Sequence, residues 1–434
     1  MKTNASFFSR FRLPQKFVIL GLIAIAMTLL PIYQFFRVTQ EQVRVAEREL
    51  AGFQPAKDVL TLIKPLQVHR GLNASALGGN KELEKQIPDA RKNVETAIAA
   101  LDADIKAIND MSIQERWGKI TKEWKNLLTD LEGNNLSAAN SFAKHTQLVM
   151  DALWILEGIS DHYEISFDNN PEYHFLIRAA YAGIPQMTEY TAQMRGFGSG
   201  MLSQAASLRE AKKSIENARS NANLEKLATM SNFVRSFMTI TNDSLAKMAQ
   251  KNAGLQTVLE PLALKAVAAT NQALNLAEKE ILNSDSLSYP APSYFQAVTA
   301  VMEEQLGLGD AVVAVLGDSL RSNVANLRQQ QFQIAAAMFL LIIFGSIMAY
   351  MIARTITNPI EHLEDVMARL EQGDSSVRAN LDTRDEIGEL ARQFDSMVEQ
   401  RESVANRVRE ENEQLNESII NLLHGVAKLS QKDL

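Results

Sequence analysis

The 434-residue sequence contains no cysteine, so a disulfide framework, a thiolate metal site and a cysteine nucleophile are all excluded. It lacks a basic excess as well. The formal charge of -7 argues against a nucleic-acid binder, which needs a positive footprint. Proline (11) and glycine (20) are sparse, which leaves room for long uninterrupted helices. Alternation of β-branched residues is hard to find, and no Walker loop, nucleophile elbow or His-Glu-x-x-His motif occurs, so the chain reads as no enzyme and as needing no cofactor. Histidines are few, and His162 and His174 beside Asp161 have no recognised metal spacing, so no metal site is expected.

Two long uncharged runs stand out. Phe17 to Phe36 and Ile334 to Ile352 each reach about 30 Å as a helix, the thickness of a bilayer core. Lys2, Arg10, Arg12 and Lys16 precede the first run with no acid among them, which places the N-terminus in the cytoplasm by the positive-inside rule. Bulky Ile32, Tyr33, Phe35 and Phe36 stand where a cleavable leader would have small residues, so an uncleaved anchor is expected. The resulting plan is a cytoplasmic N-terminus (1–16), a first span (17–36), an extracytoplasmic domain (37–333), a second span (334–353) and a cytoplasmic remainder.

The extracytoplasmic segment predicts an all-α fold. Ile87, Val94, Ile98, Leu101 and Ile105 mark one helix face, and Ala, Leu, Glu, Lys and Gln dominate. Breaks at Gly78-Gly79-Asn80, Gly133-Asn134-Asn135, Asp168–Pro171 and Ser288–Pro292 predict about six helices of roughly 40 residues, stacked as two modules of an elongated bundle. Pro171 and Pro292 suit helix starts, whereas Pro55, Pro65, Pro88, Pro185 and Pro261 suit kinks or further boundaries.

Two segments resemble each other: Gln67-Val68-His69-Arg70-Gly71 and Gln193-Met194-Arg195-Gly196, each followed by small residues. An arginine beside a small-residue surface suits bidentate capture of a carboxylate or similar small anion. Arg70 and Arg195 are therefore candidate ligand residues, with His69 and Gln67 as helpers. The other use of this pattern is pairing with bundle carboxylates, the small residues permitting close helix approach. If they hold a ligand, Arg70→Ala and Arg195→Ala weaken its binding without unfolding the domain. Tyr173, with Tyr163, His162, His174 and Phe175, suits either the wall of a ligand pocket or core filling at a helix corner.

After the second run, Ile360, Leu363, Met367 and Leu370 are spaced three, four, three, and Ile387, Leu390, Phe394 and Met397 repeat that spacing. A polar connector with Gly373-Asp374, Val377 and Leu381 lies between them. With Pro359 ahead of the first seam and Asp385-Glu386-Ile387-Gly388 opening the second, this stretch (354–407) resembles a HAMP domain. That resemblance implies a parallel four-helix bundle made by two chains, in which Pro359 and Glu386 couple the span to the bundle. Ser375 departs from it, standing where the family usually has an apolar residue. Residues 408–434 continue the helix through Val408, Leu415, Ile419, Leu422 and Val426 toward Lys432-Asp433-Leu434, which is similar to the start of a second such unit.

The whole plan resembles a methyl-accepting chemotaxis receptor, its tandem ending being similar to the twitching-motility (PilJ-like) branch. The resemblance implies a two-pass protein of the bacterial inner membrane with a periplasmic sensor, acting as a homodimer or a trimer of dimers. It also implies a histidine kinase and a coupling protein as partners, reached through a further downstream domain. Sensor histidine kinases and membrane diguanylate cyclases share this input half and are the alternative.

Overall fold

The computed structural model describes residues 11, 13–77, 84–167 and 171–430. Three of the expected features, the break at Gly78-Gly79-Asn80, the Asp168–Asn170 part of the turn and Lys432-Asp433-Leu434, lie outside the described residues, as do Lys2, Arg10 and Arg12. Among the described residues every regular element is helical. The helices are α1 (Leu13–Leu77), α2 (Ile87–Ala107), α3 (Met111–Glu132), α4 (Ala138–His162), α5 (Pro171–Ile177), α6 (Ile184–Glu210), α7 (Asn221–Lys251), α8 (Ala253–Ala277), α9 (Ala291–Glu371) and α10 (Glu386–Ser430). They group into two compact units, Val38–Gln331 on one side and Met1–Arg37 with Phe332–Leu434 on the other.

The expectation of about six helices near 40 residues is corrected. Two helices are far longer, α1 with 65 residues and α9 with 81, and those between them within Val38–Gln331 run no longer than 31. The missed reversals are made by polar caps in place of glycine or proline. Asp110 accepts from the backbone N–H of Ser112 and Ile113, Ser220 from Asn223, and Asn252 from Gly254 and Leu255. Each cap satisfies amides that a helix start leaves unpaired, so a tight turn forms without a helix breaker. Prolines behave unevenly. Pro88 and Pro185 open α2 and α6, whereas Pro55 and Pro65 lie within α1, Pro261 within α8 and Pro359 within α9. Ahead of Pro185 the chain widens into a π turn, Arg178–Gly183. Proline lacks the N–H that would bond the carbonyl four residues back and crowds it, and a widened turn relieves that conflict.

Within Val38–Gln331 there are two buried cores. The first is built from one face each of α1 (Phe53, Val59, Leu62, Leu66), α2, α3, α4 and the middle of α9 (Val312, Leu316, Leu320). On α3 its members Ile113, Trp117, Ile120, Trp124 and Leu127 recur at four, three, four, three, the stripe of an amphipathic helix. The second core joins α6, α7, α8 and the start of α9 and is rich in methionine and alanine (Met187, Met194, Met201, Met230, Ala273, Ala277) around Tyr294. Helix α9 feeds both cores, through Tyr294 and Val298 first and Leu308 and Val312 later.

In the other unit, α1 and α9 each contain a window long and apolar enough to cross a membrane, with mean hydropathy 2.1 and 2.3. Helix α9 is followed by a turn at Gly373, whose φ of +98° suits glycine, and Asp374 stabilises the turn by accepting from the Ser376 amide and hydroxyl. The connector packs back: Val377 and Ala379 are buried with Leu363, Val366, Ala391, Phe394 and Val398, and Leu381, Ile387 and Leu370 pack at the edge. Asp395 accepts from the amides of Ala379 (2.5 Å) and Asn380 (3.0 Å), and His362 donates to the Ala379 carbonyl at 3.0 Å. The two expected seams are therefore split. Leu363 and Phe394 face the connector, whereas Met367, Leu390 and Met397 stay exposed, as do Val404, Val408 and Leu415 beyond them. Ile360 is half-buried, Pro359 remains inside α9, and Glu386 is the first residue of α10.

Candidate functional site

Arg70 and Arg195 come together in one buried cluster inside Val38–Gln331. Four helices supply it. Gln67, His69, Arg70 and Asn73 lie on α1, and Phe142, His145 and Thr146 on α4. Glu189, Gln193, Arg195 and Gly196 come from α6, with Phe295 and Thr299 from α9. A β-carbon at Gly71 would stand 3.0 Å from Arg195 Nη2, which fixes how closely the two arginine segments approach.

The two halves have the same construction. The Arg70 guanidinium lies 4.9 Å from the centre of the Phe142 ring, and its Nη1 donates to Thr146 Oγ1 at 2.8 Å. The Arg195 guanidinium lies 4.4 Å from the centre of the Phe295 ring, and its Nη1 donates to Thr299 Oγ1 at 2.9 Å. In both, the threonine follows the phenylalanine by four residues and donates its own hydroxyl to that phenylalanine's carbonyl, fixing the acceptor lone pairs. The glycines work across the site. Gly71, after Arg70, gives room to Arg195 and Phe295, and Gly196, after Arg195, gives room to Phe142, whose Cε2 would be 2.6 Å from an added β-carbon. The phenylalanines and threonines escaped sequence reasoning. Phe142-x-x-x-Thr146 and Phe295-x-x-x-Thr299 were the available signal, and only the Arg-Gly pairs drew attention to a repeat.

The halves differ in one respect. Arg70 is bound bidentately by the carboxylate of Glu189, Nη1 to Oε1 at 2.6 Å and Nη2 to Oε2 at 3.0 Å. Gln193 and Gln67 donate to the same carboxylate at 2.8 and 3.0 Å, so its oxygens receive four bonds. Arg70 thus pairs with a bundle carboxylate, the other use of the Arg-Gly pattern. Arg195 has its threonine, while its Nε is buried without a hydrogen-bond partner. Burial above all, and Arg70 nearby, push the Arg195 pKa down to about 10, with Glu189 acting the other way.

His69 stands beside the clamp, in a chain of its own. His145 Nδ1 is 2.7 Å from the Ser141 carbonyl and must carry the proton, so its Nε2 accepts from His69 Nδ1 at 2.7 Å. Asn73 Nδ2 donates to the His69 carbonyl, and the Trp124 ring meets His69 edge-on. Burial pushes His69 down to about 4 and His145 to about 3. Tyr173 packs half-buried against the first core, and His174 is exposed beside Phe175.

A groove of about 760 Å³ borders the cluster, lined by Phe53, Lys57, Lys64, Gln67, Thr188 and Arg321 among others. Gln67 joins the two: it lines the groove, donates to Glu189, and leaves its own Oε1 unpartnered. What the cluster offers chemically is a dry, partly uncompensated pair of planar cations, with the buried Nε of Arg195 unpartnered, suited to a small anion.

The family model described as nitrate and nitrite sensing matches residues 61–321, a range that holds every residue of the cluster. The HAMP domain model matches residues 351–400. The methyl-accepting chemotaxis protein McpC of Bacillus subtilis (strain 168) is 38% identical over 68 residues, 16% of this chain and 10% of that relative's length. The structure of the NasR transcription antiterminator is similar in fold, with a TM-score of 0.53 at 14% identity, covering 80% of this chain and 90% of that one.

Proposed function

Because the chain belongs to the nitrate and nitrite sensing family, we propose that it is the input half of a membrane chemoreceptor that binds nitrate or nitrite between Arg70 and Arg195. A sensing domain joined to a HAMP domain makes it a signal-transducing receptor component; neither domain is catalytic. The single observation that carries the ligand reading is the buried arginine pair with one carboxylate, held by Arg70, and an unpartnered Arg195 Nε. A planar oxyanion of one charge matches the fork geometry of a guanidinium and supplies the missing counter-charge.

Signalling follows from where the site residues sit. Helices α1 and α9 each contribute to the cluster and each contain an apolar run. An anion that favours one packing of these helices shifts their equilibrium, and the HAMP bundle reads that shift. In this reading the sensor lies outside the cytoplasmic membrane and the HAMP domain inside, as the basic N-terminus suggests. A chemotaxis-type output, working through a kinase and a coupling protein in a homodimer, is supported by the likeness to McpC.

The test is calorimetric titration of the full chain in detergent with sodium nitrate, sodium nitrite and sodium chloride at constant ionic strength. Saturable heat for nitrate or nitrite, absent in Arg195→Ala, is expected. A wild-type chain that takes up neither ion sinks the proposal.

A further inference from the structure

We propose that Glu189 sets the charge of the anion this site accepts, making the cluster select singly charged over doubly charged anions. The inference rests on the reading of Arg70 and Arg195 as an anion clamp.

The cluster holds two guanidiniums and one carboxylate, Glu189, which is fully buried and bonded by Arg70, Gln67 and Gln193. Its formal charge is therefore +1. The histidines beside it add nothing, because burial keeps both neutral. Among the described residues the two other buried acids belong elsewhere. Asp151 pairs with Arg116 and Lys119, and Glu49 lies 21 positions before Arg70 on the same helix, about 31 Å away. In a medium that screens charge poorly, a monovalent anion brings the cluster to neutrality, whereas a divalent one leaves a buried negative charge in place of the positive one. Size and hydrogen-bonding groups alone would not separate a trigonal monoanion from a tetrahedral dianion so sharply, since every donor here is a side chain that can turn.

The placement of Glu189 fits a charge setter better than a simple strut. The Thr146 and Thr299 hydroxyls already hold each arginine, and among the described residues no carboxylate lies at hydrogen-bond distance from Arg195. Only the first half carries the acid, so the site has one counter-charge where a symmetric design would have two or none.

The experiment titrates the full chain in detergent with sodium nitrate and sodium sulfate at constant ionic strength, for the wild type, Glu189→Asp and Glu189→Gln. Glu189→Asp is expected to keep the wild-type preference for nitrate. Glu189→Gln, with the cluster at +2, is expected to move the nitrate-to-sulfate affinity ratio toward sulfate by at least about tenfold. If Glu189→Gln does not fold, the wild type and Glu189→Asp are titrated with sodium perchlorate beside sodium sulfate, two tetrahedral oxyanions that differ in charge, and perchlorate is expected to bind at least about tenfold more tightly. A wild-type chain that binds nitrate, combined with an unchanged ratio in Glu189→Gln or, failing that variant, sulfate bound as tightly as perchlorate, overturns this inference and leaves the clamp in place. A wild-type chain that binds neither ion overturns the clamp reading itself.

Discussion

Arg70 and Glu189 close a bidentate ion pair whose side chains are 1% and 0% exposed, 119 residues apart in sequence and on different helices. Removing one partner of such a pair strands a buried charge, at a cost of about 3–5 kcal/mol. Arg70→Ala is therefore expected to lower the unfolding free energy by roughly that amount. Arg195→Ala removes a desolvated cation held by a threonine, and the variant should melt at or above the wild-type temperature while its nitrate heat vanishes. Paired thermal melts and titrations of the two variants check this. Equal destabilisation by both would show that Arg195, too, is a structural residue.

The buried histidines give a pH prediction with a definite sign. His69 and His145 are held at about 4 and about 3, below the ordinary 6.5, so the folded chain refuses protons that the unfolded chain accepts. Stability is unaffected by this pair above pH 6.5. It falls as pH drops below that value, by about 1.4 kcal/mol per unit for each histidine, and the loss levels off near the folded values. Urea melts between pH 7.5 and 4.5 should show the fall, and His145→Gln should flatten it by about half. The same slope in both proteins would assign the acid sensitivity to other groups.

Much of the molecule was legible because its signals are local. Helicity, both apolar runs and the HAMP seams follow from periodicity along the chain, and the Gly373-Asp374 turn is a two-residue signature. The clamp was half legible. Arg-Gly repeated twice is visible, and so is its suitability for an anion, but nothing local says that Glu189 binds Arg70 or that Thr299 binds Arg195, because those contacts join separate helices. Reversals capped by Asp110, Ser220 and Asn252 were missed for a different reason: a polar cap looks like any other surface residue until its amide partners are known. Reading Arg70 and Arg195 as equivalent, both removable without unfolding, is what the asymmetric carboxylate revises.

Gly71 offers a way to disturb the site without touching its charges. An alanine there would place its β-carbon 3.0 Å from Arg195 Nη2, at the far end of a flexible side chain that can yield. Gly71→Ala should leave the melting temperature within a few degrees of wild type, since a helical alanine itself gains about 1 kcal/mol over glycine. It should weaken nitrate binding about tenfold or more by turning the guanidinium aside. Titration that finds wild-type affinity in this variant would mean the Arg195 head group is not where the ion sits.

Asp395 is the expected weak point of the HAMP connector. Its carboxylate receives the amides of Ala379 and Asn380, and hydrogen bonds to a charged group are worth about 1.5–3 kcal/mol. Asp395→Ala should release the connector, so that the amides of Ala379 and Asn380 lose protection in hydrogen exchange while those of α10 keep theirs. Unchanged protection at both amides would place the anchoring in Val377 and Leu381 instead.

The matched half-sites have a consequence for how such a chain can change over generations. One arginine comes from α1 and the other from α6, and each glycine serves the opposite half. In an exchange of gene segments, a crossover between codons 71 and 195 would set Arg195 against a foreign Gly71, and one before codon 142 would also give Arg70 a foreign aromatic ring. A working clamp therefore needs the whole stretch from Arg70 to Thr299 to come from one source. New specificities on this scaffold have to arise by single changes inside it, with the lone acid at position 189 as the cheapest place to begin.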